Sequence, residues 1–339
     1  MSQPIVSGIL SYGMSGRVFH APFLGTSPQF KLKAVVERHE KKAAKRYPDI
    51  TSYNSVEELL DDDRIELVVV NTPNYLHYEH TKMALNAGKH VLLEKPAAAT
   101  VAEVRELFAL AREVGKHLML YQNRRWDSGF LSVKEVVESG RLGELVEVQF
   151  RLDRYKPQQG VKLFKEQKKF PASGIAYDLG SHLIDNAIAL FGQPVSFDKV
   201  TAIHRENSEV PDYFGIRITF EHQLNVYLSA SLLSIEPLAG FVVIGSLGTF
   251  IKERTDVQET QLDTEGMLPT DPAYGFEPGG SEGKLITAGI DGKKQVEYIP
   301  SKKGGYEHLF ESIYHTIRHN ALYPVTEEQI VWQLELLEN

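Results

Sequence analysis

The first 122 residues alternate between short apolar runs and amphipathic runs, and this alternation limits the fold more than any other feature of the chain. The apolar runs are typical of buried strands: Ile5–Leu10, Lys31–Val36, Glu66–Asn71, Val91–Glu94 and Leu118–Tyr121. Helix-like runs separate them: Glu40–Arg46, Val56–Leu60, His77–Ala87 and Val101–Val114. Strands that alternate with helices are joined by right-handed crossovers and pair in parallel. We therefore predict a doubly wound α/β domain over residues 1–122.

A turn that contains two glycines follows the first strand-like run. It reads Ser11-Tyr-Gly13-Met14-Ser15-Gly16, so its glycines take the second and third places of the pattern G-x-G-x-x-G, with Ser11 in the first. Such glycines let a dinucleotide pyrophosphate approach the backbone and rest on the N-terminus of the next helix. Because the turn directly follows a strand, as the pattern requires, we predict a nucleotide site here. The alternative is an ordinary turn with two glycines.

Two opposite charges, Glu37 and Arg38, end the second strand-like run. A carboxylate at this place accepts hydrogen bonds from the ribose hydroxyls of NAD, whereas an arginine pairs with the 2′-phosphate of NADP. Since the chain carries both, the residues leave the choice between NAD and NADP open. The alternative is a pair of solvated charges at a strand end.

Two further strand ends carry polar side chains that would face the same edge of the sheet. Glu94-Lys95-Pro96 follows a buried run, and a lysine held there by a proline faces the crevice in which doubly wound sheets bind ligands. Thr72-Pro73-Asn74 follows the run Glu66–Asn71, and His77 opens the next helix. We predict that these residues line the crevice beside a nicotinamide. The alternative for His77 is a histidine on the helix surface.

The helix-like run Tyr177–Phe191 carries the clearest acid–base pattern of the chain. At about 100° per residue, Asp178, His182 and Asp185 fall within roughly 60° of one another. Asp at i and His at i+4 can hydrogen-bond, which fixes the imidazole tautomer and raises its basicity, as in a general base. Two alternatives stay open: a solvated helix face, and a divalent cation site, which an ammonium from Lys95 in the same cleft would oppose.

Residues 123–339 show a different pattern, in which strand-like runs follow one another with little helix between them. Strands joined by short turns pair antiparallel, so we predict an α+β domain built on an open, mostly antiparallel sheet. Asn123, Arg125 and Tyr155 are candidates for binding the hydroxyls of a substrate, with a hinge or an interdomain salt bridge as the alternative. A loop with four lysines, within residues 162–169, is expected to be solvated or to cover an anionic cofactor.

Composition excludes several classes of function. The chain has no cysteine, so it has no disulfide, thiolate metal site or cysteine nucleophile. A net charge of −8 argues against binding to nucleic acid or anionic membranes. The N-terminal sequence Met-Ser-Gln-Pro lacks the basic region of a signal peptide, and no apolar run is long enough to span a membrane. We therefore expect a cytoplasmic protein of two domains, without a metal site.

Taken together, these motifs resemble the glucose–fructose oxidoreductase/inositol dehydrogenase (Gfo/Idh/MocA) family, and the resemblance covers essentially the whole chain. It rests on the glycine turn, Thr72-Pro73-Asn74 with His77, Glu94-Lys95-Pro96, Asn123-Arg-Arg-Trp-Asp127 and Asp178-x₃-His182-x₂-Asp185. Within the family, the resemblance is greatest to the NADP-dependent scyllo-inositol dehydrogenase subgroup. It rests on the runs Ser11–Phe23, Arg124-Arg-Trp-Asp127 and Tyr177-Asp-Leu-Gly-Ser-His182.

The resemblance implies a function and a set of partners. An N-terminal Rossmann domain would bind NAD or NADP, and the C-terminal domain would bind a polyol or sugar and form a homodimer or homotetramer through its sheet. Lys95, Asp178 and His182 would be catalytic, and hydride would pass between nicotinamide and a secondary alcohol of a scyllo- or myo-inositol-like substrate. Asp185 would bind substrate hydroxyls, and the Lys95-Pro96 bond would be cis. The alternatives are glycosidase-type elimination with bound NAD, and a regulator without catalysis.

Overall fold

The first sheet is parallel throughout, as predicted. The computed structural model describes residues 3–255, 257–289 and 291–338. Six strands form this sheet in the order β3-β2-β1-β4-β5-β6. Their bounds are β1 (Ile5–Ile9), β2 (Phe30–Val36), β3 (Thr51–Tyr53), β4 (Leu67–Val70), β5 (His90–Glu94) and β6 (Leu118–Tyr121). The order reverses between β1 and β4, so the crevice for a ligand opens at the carboxyl ends of these two strands.

The second sheet has eight strands in the order β14-β13-β12-β11-β7-β10-β9-β8. Of its pairs, only β7 with β10 is parallel, which confirms a mostly antiparallel sheet. The bounds are β7 (Leu145–Arg151), β8 (Ser196–Ala202), β9 (Tyr213–Thr219), β10 (Asn225–Ser231), β11 (Phe241–Gly245), β12 (Gly248–Lys252), β13 (Gly283–Ala288) and β14 (Lys294–Ile299).

Ten α-helices lie within the described ranges: α1 (Ala21–Thr26), α2 (Val56–Leu60), α3 (His77–Asn86), α4 (Val101–Glu113), α5 (Ser128–Glu138), α6 (Leu163–Glu166), α7 (Ser181–Phe191), α8 (Val257–Asp263), α9 (Glu307–His319) and α10 (Glu327–Glu338). A five-residue π turn immediately precedes α1 (Gly16–His20), and another precedes α7 (Ala176–Gly180). Thr100 and Glu103 form a reciprocal capping box at the start of α4. None of these helices is long and apolar enough to cross a membrane.

The predicted helix Glu40–Arg46 is wrong, because only a short 3₁₀ turn (Ala43–Lys45) forms there. The side chain of Glu37 accepts hydrogen bonds from the backbone N–H groups of Lys42 (2.7 Å) and Ala43 (3.2 Å). These bonds fold the chain back toward β3, a three-residue strand that is too short to recognise from apolar periodicity.

Contacts group the chain into two compact units that are discontinuous in sequence. One comprises residues up to 123 with 258–274 and 305–331, and the other comprises 124–257, 275–304 and the residues from 332 onward. Helix α10 is divided between the units after Val331. The assignment of nucleotide binding to 1–122 and of substrate binding to 123–339 stays a prediction.

The first unit has an apolar centre to which its late segments contribute. Strands β4 and β5 bury their apolar side chains completely. Phe23 of α1 stacks on Phe310 of α9 with ring centroids 4.8 Å apart, and Tyr274 meets Phe23 edge-on at 6.2 Å. Aromatic pairs of this kind add about 0.5–1.5 kcal/mol beyond the area they bury.

One face of the eight-stranded sheet carries partly exposed side chains. Along β10, Tyr227 is exposed and the other alternate residues are half-buried, while Val226 and Leu228 are buried. Tyr227 pairs across the sheet with Arg217 of β9, and Val200 of β8 is exposed as well. Assembly of like chains through this sheet stays a prediction.

The stability of the first unit should fall at mildly acidic pH through His90. The ring of His90 stacks on His117 at 5.2 Å, and its Nδ1 accepts the backbone N–H of His117 at 3.0 Å. Burial, helped by the nearby charge of Lys116, lowers the pKa of His90 to about 4. The unfolded chain, with an ordinary pKa of about 6.5, binds the proton first. The free energy of unfolding therefore falls as the pH drops from about 6.5 to about 4. Below about pH 4 the folded protein binds the proton as well, so His90 causes no further loss of stability.

We expect His90→Asn, which keeps an acceptor near the position of Nδ1, to lose less stability than the wild type between pH 7.5 and pH 5. Urea unfolding at both pH values measures this. His222→Asn is the matched control, because His222 lies in an exposed turn at φ 55°, where asparagine is tolerated. An equal loss of stability in His90→Asn and in the wild type would show that His90 is not the titrating group.

Candidate functional site

The glycine turn is held tightly against the end of β4. Asn71 donates from Nδ2 to the backbone oxygen of Ser11 at 2.8 Å. A Cβ on Gly16 would lie 2.0 Å from that same oxygen, so this position admits only glycine. A Cβ on Gly13 would meet nothing closer than 3.5 Å, which leaves the backbone there open to approach. The two glycines therefore have the distinct functions expected of the third and second places of the nucleotide pattern.

Glu94, at the end of β5, joins the glycine turn to the strand end that Lys95 directly follows. Its Oε1 accepts a hydrogen bond from Ser15 Oγ at 2.9 Å and lies 2.8 Å from Nε2 of the buried His20. Burial raises the pKa of Glu94, but the hydrogen bond and charge of His20 and the charge of Lys95 outweigh it, so the pKa lies below its ordinary value. Glu94 is therefore ionised at neutral pH.

His77 connects the ends of β4 and β5. Its Nδ1 lies 2.7 Å from the backbone oxygen of Pro96, and its Nε2 lies 2.9 Å from that of Thr72. The ring is buried, so the alternative of a surface histidine is wrong. The Lys95-Pro96 bond is cis, as the resemblance implied. Pro73 and Asn74 lead into α3 through a short 3₁₀ turn.

Glu37 and Arg38 differ in their surroundings. Besides the two backbone groups described above, the carboxylate of Glu37 accepts a hydrogen bond from Ser52 Oγ at 2.7 Å, and only 7% of the residue is exposed. Both of its oxygens are therefore engaged by the protein. Arg38 is exposed at the same strand end.

The strand ends of the first unit suit a dinucleotide. The turn is open at Gly13, and Ser11, Met14 and Ser15 border it. In the described part of the chain, no group donates a hydrogen bond to the buried Oδ1 of Asn71, which leaves one polar atom for a ligand at this crevice. Asn71 begins the stretch Asn71–His77, whose polar groups the sequence predicts to line the crevice beside a nicotinamide.

The second unit places the acid–base residues at the start of α7. The predicted regular helix is wrong in its first turn, because Asp178 lies in the π turn that precedes α7. Its carboxylate oxygen Oδ1 accepts a hydrogen bond from Lys165 Nζ at 2.6 Å. His182 and Asp185 are 7% and 3% exposed, so they do not form a solvated face.

Arg125 and Asp185 form a buried bidentate pair. Nε and one terminal nitrogen of Arg125 donate to the two carboxylate oxygens at 2.9 and 2.7 Å. The alternative metal site would consist of Asp178, His182 and Asp185. Two of these three, Asp178 and Asp185, are instead paired with the cationic side chains of Lys165 and Arg125. No cluster of three histidine or acidic side chains suited to a metal occurs within residues 3–255, 257–289 and 291–338.

The remaining predicted substrate residues lie in different surroundings. Asn123 is buried, whereas Tyr155 is 53% exposed and bridges to Leu233 beyond the end of β7. Their roles toward a substrate stay predictions. His20 and Lys165 were not predicted. An isolated histidine in the apolar run after the glycine turn was a usable signal for His20, but Lys165 cannot be distinguished from its neighbouring lysines by sequence.

We expect Gly16→Ala to destabilise the protein by about 3 kcal/mol, because its methyl group would collide with a backbone oxygen that cannot move alone. Urea unfolding without nucleotide measures the effect. Gly13→Ala is the matched variant: its free energy of unfolding should change by less than about 0.5 kcal/mol, while its affinity for a dinucleotide falls. Equal destabilisation by the two substitutions would contradict this division of roles.

Comparisons with known proteins identify the family. A family model described as "Oxidoreductase family, NAD-binding Rossmann fold" matches residues 6–122, and one described as "GFO/IDH/MocA C-terminal domain" matches residues 130–251.

The chain is 36% identical to the scyllo-inositol 2-dehydrogenase (NADP(+)) IolW of Bacillus subtilis, over 98% of this chain and 91% of that protein. It is 37% identical to the uncharacterized oxidoreductase C115.03 of Schizosaccharomyces pombe, over 99% and 96%. The solved structure of the oxidoreductase YvaA of Bacillus subtilis superposes with a TM-score of 0.92 at 35% identity, covering 99% of this chain and 94% of that one. The chain belongs to the Gfo/Idh/MocA family of NAD(P)-dependent oxidoreductases.

Proposed function

We propose that this protein oxidises and re-forms a secondary alcohol of a cyclitol or sugar, with an inositol as the leading candidate substrate. The observation that carries the proposal is the bridge from the glycine turn through Glu94 to Lys95. The carboxylate of Glu94, at the end of β5, binds the glycine turn through Ser15. This fixes the position of the next residue, Lys95, whose ammonium group lies at the end of the strand. The 36% identity to an enzyme named for scyllo-inositol supports the substrate class.

The catalytic work is divided among three residues. His182 removes the proton of the reacting hydroxyl and returns it in the reverse direction. Asp178 orients and stabilises the imidazolium that forms, and Lys95 stabilises the developing alkoxide by its charge. The bound nicotinamide supplies the hydride acceptor or donor. The burial of His182 excludes water from the imidazole and strengthens its interactions with charged neighbours.

The remaining polar residues would set which polyol binds. Asp185 and Arg125 hold each other in a buried pair, so they would contribute to the substrate site as a rigid unit rather than as two separate side chains. Asn123 and Tyr155 would bind further hydroxyls. In the first unit, Thr72, Pro73, Asn74 and His77 would border the nicotinamide.

We expect His182→Ala to lower kcat by about 10²–10⁴-fold, the usual contribution of a general base, while the affinity for NADPH stays unchanged. Absorbance of reduced nicotinamide with scyllo-inositol, myo-inositol and an aldose panel measures turnover, and nucleotide fluorescence measures binding. His222→Asn is the matched histidine control. Turnover by His182→Ala at the wild-type rate would remove its assigned role. Aglycone release from a glycoside without net NADH would instead indicate elimination chemistry.

We further propose that the protein prefers NADP. The carboxylate of Glu37 is engaged by Lys42, Ala43 and Ser52, so it is not available to accept both ribose hydroxyls of NAD. Arg38, exposed at the same strand end, has the planar fork of donors that suits a 2′-phosphate. The relative named as an NADP(+) enzyme agrees with this choice.

We expect Arg38→Ala to weaken NADPH binding by about 10–100-fold, as the loss of a charge-assisted hydrogen bond of about 1.5–3 kcal/mol implies, with little change for NADH. The NADPH affinity of Arg38→Lys should lie between those of the wild type and Arg38→Ala, because lysine keeps the positive charge but lacks the planar fork of donors. Fluorescence titration with both nucleotides measures the affinities, and Arg141→Ala in the second unit is the charge control. Parallel losses for NADH and NADPH would contradict 2′-phosphate recognition.

A further inference from the structure

The loop that carries four lysines is anchored on both sides rather than solvated throughout. Lys165 of α6 donates to Asp178 at 2.6 Å, and the next residue, Glu166, accepts from Arg205 at 2.7 Å. Neighbouring side chains of one short helix therefore point to two different partners of opposite charge. We propose that Lys165 is a positioning residue that holds Asp178 for catalysis, an inference that rests on the proposed function.

Backbone hydrogen bonds close the contact between Lys165 and Asp178 into a ring. The N–H of Gly174 donates to the backbone oxygen of Lys165 at 3.0 Å, and the N–H of Asp178 donates to that of Gly174 at 3.1 Å. Gly174 has φ 85°, a conformation that favours glycine. The ion pair and these two backbone hydrogen bonds therefore form a ring, in which Lys165 and Asp178 are each bonded to the backbone of Gly174.

Arg205 anchors the other side of the loop. This arginine is 5% exposed, donates to the backbone oxygen of Gln158 at 3.2 Å, and lies 3.5 Å from Asp212. Glu166 also accepts the backbone N–H of Gly160 at 3.0 Å. Glu166, which is bound by a buried cation and a backbone N–H, thus anchors the helix from which Lys165 reaches Asp178.

The charge of Lys165 matters because an ammonium beside a carboxylate favours the ionised carboxylate. About a third of each side chain is exposed, so solvent screens the pair but does not remove the effect. The other charged groups on the packed elements already have partners or are the proposed base itself: Arg205 with Glu166 and Asp212, Arg125 with Asp185, and His182. Lys165 donates directly to the Asp178 carboxylate, so we expect its loss to change the protonation of Asp178.

The test compares kcat and kcat/KM against pH for the wild type, Lys165→Met, Lys165→Arg and Lys168→Met, with NADPH or NADP and the best polyol of the panel. We expect the acid limb of kcat/KM in Lys165→Met to move up by about one pH unit, the low end of the usual effect of an opposite charge. On the acid limb, kcat/KM of Lys165→Met should be about tenfold lower than that of the wild type, and at higher pH the difference should be small. Lys165→Arg should restore the wild-type profile, and Lys168→Met, in the same loop and exposed, should match it.

Thermal unfolding of each variant separates a folding defect from a positioning defect. A uniform loss of rate at every pH, without a shift of the limb, would overturn the proposal, as would a wild-type profile in Lys165→Met. If the wild type itself shows no turnover on any polyol, the proposed function fails first, and the inference fails with it. A shifted limb that arginine restores supports both.

Discussion

The carboxylate of Glu94 is the interaction on which the candidate nucleotide site depends. It is the place where the glycine turn, the π turn before α1 and the end of β5 meet, through Ser15 and His20. Removing it would leave a buried imidazole and a turn without their common partner, and the loss of a buried charged partner is among the more costly changes a protein can undergo. These contacts of Glu94 also fix the backbone position of Lys95, because Lys95 is the next residue in the chain.

The second unit also fixes carboxylates through partners on other elements of the fold. There, acidic residues at or near α7 are each held by a cation from another element, Asp178 by Lys165 and Asp185 by Arg125. Each carboxylate is thereby oriented by a cation, and burial raises the pKa of Asp185 against the opposing effect of Arg125. The acid–base pattern of this helix therefore comprises the buried His182 and two carboxylates that are each paired with a cation.

Several parts of the fold and of the candidate site could be predicted from the sequence, because short stretches of chain determine them. The parallel sheet, the caps of α4 and the glycine turn follow from periodicity and turn chemistry, which short stretches of chain determine by themselves. The engagement of Glu37, the ion pair of Lys165 and the β13–β14 hairpin could not be predicted in the same way. The first two depend on side-chain bonds between separate turns of the chain, and the hairpin depends on a strand without an apolar signature, since β14 is mostly exposed. The prediction for Glu40–Arg46 failed at short range: the Glu37 carboxylate binds the N–H groups of Lys42 and Ala43 together with Ser52 Oγ, and a 3₁₀ turn forms in place of the helix.

The π turns before α1 and α7 bear on how the chain tolerates length changes. Each π turn accommodates one more residue than an α turn would, and such insertions are frequent at functional sites. Deleting one residue there would leave an uninterrupted helix with its apolar face intact, yet every side chain on the N-terminal side would rotate by about 100° about the helix axis. Ser15 and Asp178 would then face new directions while the fold survived. In related chains, a one-residue gap at either place would thus mark a change of chemistry rather than of architecture.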